Sequence, residues 1–266
     1  MDKKVLLEWY IDAGVDEAIG DEPVNRFVAL EKPIAPVQQI PETPPSPTLP
    51  PKGLGSALHH SPAAAVTAAR VLVENCDNIA ALEDAVRNFD GCAIKKTASK
   101  TVFADGNPSA KIMVIGEAPG AEEDKQGIPF CGQSGQLLNK ILASIGLSRK
   151  EDVYISNTVF WRPPGNRQPS TEEMAICLPF VEKHIALIKP DLLILAGGVA
   201  AKAVLKSDIS VSRLRGKFYD YKNDYMDNPT KTVIVYHPSY LLRSPAQKRL
   251  AWHDMLMIKD FLNNKQ

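Results

Sequence analysis

Four short apolar runs, at 111–116 ("KIMVIG"), 153–159, 191–196 and 232–236, each lead into a stretch with helical spacing. The helical partners are 134–146 ("SGQLLNKILASIG"), closed by Gly146; 171–188, capped by Ser170 or Thr171; 199–206; and 246–262. A further helical pattern at 63–88 precedes the first run. Runs that are apolar throughout are strands buried on both faces, and such strands joined by helices lie parallel, because the crossover must return over the sheet. The chain is therefore expected to form a three-layer α/β/α fold around a central, mostly parallel four-stranded sheet. Between the last two repeats, "RLRGKFYDYKNDYMDN" reads as an antiparallel excursion.

The rest of the chain is different. Nine prolines between residues 33 and 62 prevent regular hydrogen bonding and favour extended geometry, so 31–62 is expected to be a Pro-rich linker. It separates the domain at 63–266, which holds these repeats, from a short N-terminal helical segment at 1–30. There, residues 5–19 place Leu6, Trp9, Tyr10 and Ala13 on one helical face. A helix that short is not stable alone, and an unidentified protein partner is one expectation for it.

With 266 residues, 44% of them hydrophobic, the chain can bury a sizeable core. No apolar run approaches the roughly 18 residues of a membrane span, and acids interrupt the N-terminus where a signal peptide needs an apolar stretch. A soluble, cytoplasmic monomer is expected, with no membrane contact. Cys76, Cys92, Cys131 and Cys177 form no C-x-x-C pair, which indicates reduced thiols rather than a disulfide framework or zinc ribbon. The net charge is zero, but residues 1–65 carry 9 acids against 5 bases, leaving the remainder with 22 acids and 26 bases. That basic excess clusters in "WRPPGNR", "RLRGK" and "LLRSPAQKR". Such clustering suits either a nucleic-acid face or ordinary solvated surface.

Four motifs fall at the carboxyl ends of the four expected strands, where ligands bind in folds of this kind. They are "GEAPGAEEDKQGIPF", "NTVFWRPPGNR", "AGGVAA" and "HPSYLLR". The first matches neither a P-loop nor a dinucleotide fingerprint, and its acids would repel a pyrophosphate. Taken together and in order, "GEAPGAEEDKQGIPFCGQSGQLLNKIL", "YISN", "RPPGNRQPS", "HPSYLLR" and the terminal Lys, Trp and Asp pattern resemble the family 4 uracil-DNA glycosylases over about residues 89–262.

The resemblance implies DNA containing uracil, single- or double-stranded, as partner, and excision of the base as activity. Phe130 matches the aromatic that stacks on uracil and Asn157 the asparagine that reads its Watson–Crick edge. His237 matches the histidine near uracil O2, in either its neutral or protonated form. Glu117 matches an acid that could exclude a 5-methyl group, position water or stabilise an oxocarbenium-like sugar. Glu123 and Asp124 either cap the following turn or organise the site. Arg162, Arg167, Ser239 and Arg243 are expected phosphate or groove contacts, and Leu241 or Leu242 the wedge that fills the vacated base stack.

The resemblance also implies a 4Fe-4S cluster on four cysteines, but the matching positions here are Phe89, Cys92, Trp161 and Cys177. Two aromatics cannot ligate iron, so no cofactor or metal is expected. Phe89 and Trp161 are expected to pack together as an apolar plug that anchors the "RPPGNR" loop. Two rival readings are a metal-dependent nucleotide hydrolase, in which "GEAPGAEED" would chelate magnesium, and a non-catalytic DNA-binding relative. Retention of Phe130, Asn157 and His237 together argues against the latter.

Overall fold

The computed structural model describes residues 61–264. The segment 1–30, the helix expected at 5–19 and all but the end of the linker at 31–62 lie outside the described residues. The stretch at 63–88 forms helices α1 (Pro62–Glu74) and α2 (Ile79–Asn88). Pro62, expected in the linker, instead opens α1: Ser61 caps the helix by accepting from the Ala64 N–H. A proline there gives up only an amide that has no helical acceptor.

Four parallel strands form the centre of the sheet, β2 (Ile112–Gly116), β3 (Val153–Asn157), β4 (Leu192–Ala196) and β6 (Thr230–Val235), with spatial order β3-β2-β4-β6. Two short antiparallel edge strands extend the expected four to six. The first is β1 (Asp105–Gly106), paired with β3; the second is β5 (Phe218–Tyr221), paired with β6 in the excursion anticipated from the sequence. A two-residue strand has no alternation to betray it, so β1 was not legible.

Successive side chains sort to opposite faces of the sheet. Met113, Ile115, Leu193, Leu195 and Ile234 face α1, α2 and α5 (Thr171–Ile188), whereas Ile112, Val114, Ile194 and Val233 face α4 (Gln133–Ser144) and α9 (Lys248–Asn263). The remaining helices are α3 (Ala121–Gln126), α6 (Gly198–Leu205), α7 (Val211–Leu214) and α8 (Pro238–Arg243). Ser170, not Thr171, caps α5, in a reciprocal pair with Glu173.

The register brings Gly116 beside Asn157 and Ala196 beside Val235. β3 stops at Asn157, two residues short of expectation, because the Thr158 N–H turns back to Gly116 O at 3.0 Å and its hydroxyl donates to Glu117 O at 2.5 Å. Glu117, Asn157, Gly197 and His237 therefore leave the sheet at neighbouring strand ends.

Candidate active site at the strand ends

Those ends open on a cleft of about 400 Å³ whose walls include Glu117, Phe130, Asn157, Arg167, His237, Ser239 and Arg243. Asn157 is only 2% exposed, and its carboxamide, which makes no hydrogen bond to another described residue, is open to this cleft rather than sealed in the core. A carboxamide open to a cleft has both its donor and its acceptor available to a ligand. The Phe130 ring lies across Gly116: a Cβ on Gly116 would come within 2.4 Å of Phe130 Cζ and 2.5 Å of Asn157 Oδ1. The absence of a side chain at 116 is what lets the ring and the amide share one wall.

Glu123 fastens this wall. Its carboxylate accepts from the Gly120 N–H at 3.1 Å and the Gly132 N–H at 2.9 Å, joining the "GEAPG" turn to the loop that carries Phe130. Asp124 instead accepts from the Ser99 and Lys100 N–H groups at 2.8 and 3.2 Å, and Glu122 pairs with Lys125 at 2.9 Å on the surface. Glu122, Glu123 and Asp124 thus serve separate sets of partners. They do not converge as magnesium ligands, which removes the support for a metal-dependent hydrolase.

His237 caps α8. The Ser239 N–H donates to its Nδ1 at 3.1 Å, and the Ser239 hydroxyl lies 2.8 Å from the same atom. Nδ1 is therefore an acceptor, and the ring proton sits on Nε2. Burial, then Arg243, pushes the pKa down to about 4, so the ring is neutral at pH 7. The imidazole packs 5.5 Å from the Phe130 ring, and Gly197, at φ +96°, passes so close that a Cβ there would lie 3.0 Å from His237 Cβ. Burial raises the Glu117 pKa and Arg243 opposes it.

The expected DNA contacts divide. Arg243 is exposed at the cleft, as needed for a phosphate. Ser239 lines the cleft too, but both its N–H and its hydroxyl are directed at His237, so it orients the imidazole. Arg167 is held by Glu173 in a two-pronged pair at 2.6 and 2.9 Å, and Arg162 Nε donates to Asn166 at 2.7 Å outside the cleft wall. Leu241 is 1% exposed and belongs to the core, whereas Leu242 is 40% exposed. Leu241 is therefore corrected to a packing residue; adjacent helical positions point in different directions, and only Leu242 can act as a wedge.

The four positions matching cluster ligands do not fit a cluster. Trp161 is 1% exposed and its Nε1 donates to Thr101 Oγ1 at 3.0 Å; Phe89 is also buried. Their contact is indirect, which corrects the expected pairing: Phe89 meets Phe180 at 5.1 Å, Phe180 meets Phe160 at 6.4 Å and Phe160 meets Trp161 at 6.0 Å. Cys92 and Cys177 are buried and unbridged, and their thiols lie near enough to shift one another. That proximity lowers the Cys92 thiol and, with burial, raises Cys177. Two thiols amid packed rings cannot supply four thiolates.

Sequence reasoning missed Arg149, which grips the Phe130 loop, and Gln168, in the cleft wall. Neither has a local signature, since each reaches the site only through the fold.

The Uracil DNA glycosylase superfamily model matches residues 103–256. The chain is 35% identical over 192 residues to the type-4 uracil-DNA glycosylase of Archaeoglobus fulgidus, covering 70% of this chain and 95% of that one. It is 37% identical over 196 residues to that of Saccharolobus solfataricus, covering 71% and 88%, and 36% identical over 180 residues to that of Pyrobaculum aerophilum, covering 66% and 90%.

Proposed function

The chain belongs to the uracil DNA glycosylase superfamily and is a uracil-DNA glycosylase, a hydrolase acting on DNA; we propose that it draws a flipped-out uracil into the cleft and hydrolyses its glycosidic bond without a metal or cluster. The carboxamide of Asn157, open to the cleft beside the Phe130 ring, carries this reading. An amide offers an acceptor to uracil N3–H and a donor to O4, opposite to what cytosine needs. Phe130 supplies the stacking surface that offsets part of the few kcal/mol lost on unstacking.

Breaking N1–C1′ leaves the electron pair on uracil and positive charge on the sugar. His237, neutral with its proton on Nε2, donates to O2 and stabilises the departing anion without first having to lose a charge of its own. Glu117 supplies the negative charge that an oxocarbenium-like sugar and an attacking water require. Arg243 grips phosphate, and Leu242 enters the vacated stack.

The aromatic packing around Phe89 and Trp161 supports a cluster-free enzyme. Incubation of the full chain in chelator with single- and double-stranded oligonucleotides carrying one uracil tests the reading. Alkali-labile abasic sites are expected at uracil only; intact uracil strands, or equal release of cytosine, would sink it.

A further inference from the structure

Phe130 stands in a conformation its own side chain does not favour, with φ at +50°. Something must hold it there. Both carbonyls that flank the residue turn toward one guanidinium: Arg149 Nη1 donates to Phe130 O at 2.8 Å, and Nη2 donates to Pro129 O at 2.5 Å. The guanidinium is itself fixed, by Nε on Asp105 Oδ2 at 2.7 Å and by Nη1 on Asn139 Oδ1 at 3.3 Å, with only 13% of the side chain exposed. Gly135 lets α4 close on the loop from the other side, since a Cβ there would lie 1.7 Å from Phe130 O.

The anchor is informative. Asp105 is on β1, paired with Ile155 of β3, two residues before Asn157. One side chain therefore ties the ring proposed to stack on the base to the strand that carries the amide proposed to read its edge. A planar fork with several fixed donors can do this; the compact ammonium of lysine cannot reach the same acceptors at once.

We propose that Arg149 is a positioning residue for uracil recognition, setting the Phe130 ring against Asn157 by gripping the Pro129 and Phe130 carbonyls from β1. The inference rests on the reading of Phe130 as the stacking surface. Arg149 is not part of the cleft wall, so its loss is expected to act on the flipped base and to leave the DNA grip intact.

The test compares full-length wild type, Arg149→Lys and Asp105→Asn on a single-stranded uracil oligonucleotide, well below the unfolding temperature of each. Three quantities are measured: the single-turnover rate at saturation, the oligonucleotide concentration giving half that rate, and inhibition by free uracil. Arg149→Lys is expected to slow the rate by about 10- to 100-fold, the scale of a misplacement near 1 Å, and to weaken uracil inhibition in parallel, with half-saturation within about twofold of wild type. Asp105→Asn, which keeps both carbonyl contacts, is expected to move the same two quantities in the same direction by less. It also decides the matter should Arg149→Lys fail to fold. Unchanged rate and uracil inhibition, or a loss confined to half-saturation, would overturn the inference alone. A wild-type protein that excises nothing would overturn the functional reading and this inference with it.

Discussion

Asn157 and Trp161 leave the same strand four residues apart and are buried almost equally, at 2% and 1% exposure. Their surroundings differ. The Trp161 indole donates to Thr101 and packs among aromatic rings, whereas the Asn157 carboxamide finds no partner among the described residues. A polar atom satisfied inside the core stabilises a fold; one left open to a cleft is available to pair with a ligand. On the proposed reading, chemistry falls at one end of the loop and cohesion at the other.

Substitutions at the open end should break function and spare the fold. Asn157→Ala and His237→Ala are each expected to lower single-turnover uracil excision about 100- to 1000-fold, the scale for loss of one donor to a developing anion, with thermal midpoints near wild type. Matching losses of activity and midpoint would erase the distinction. At the packed end the signs reverse. Trp161→Ala should cost about 3–5 kcal/mol of stability in denaturant unfolding, while excision per folded molecule falls far less than in Asn157→Ala.

The paired leucines of α8 sharpen the same contrast. Leu241→Ala is expected to cost about 2–5 kcal/mol of stability. Leu242→Ala should leave stability within about 0.5 kcal/mol and slow excision from duplex more than from single strands, because only a duplex has a stack to fill. Equal effects on the two substrates would remove Leu242 as a wedge.

The smallest effect is in the pH profile. Burial raises the Glu117 pKa above its ordinary value of 4.5, so an active carboxylate is protonated, and activity lost, as pH falls through that raised value. His237 gains its proton only near pH 4, so it titrates after Glu117. Glu117→Gln should therefore be slower at neutral pH and flat across the region where wild type declines. A Glu117→Gln profile with the wild-type acid limb would place that limb on another group.

Strands whose apolar runs are buried on both faces declare themselves by composition, which is why β2, β3, β4 and β6 and their helices were legible. The motifs at their ends were legible for a related reason: the parallel fold gathers them wherever the helices run. Other features depended on contacts no local pattern encodes. Leu241 and Leu242 could not be told apart until α8 was known to be a helix with one face inward. Arg167 lines the cleft, but its pairing with Glu173, six residues on, shows only once α5 is capped by Ser170. Arg149 lies 19 residues from the carbonyl it grips, and nothing in "LSRKEDV" marks it.

Iron content and excision measured side by side test the central claim most directly, that Asn157 and His237 do the chemistry while packing around Trp161 replaces ligation. The full-length protein, purified without oxygen and again in air, is expected to be colourless, to carry no stoichiometric iron and to release uracil in chelator at the same rate from both preparations. A brown protein with about four irons per chain, or excision that disappears with the chelator, would contradict it.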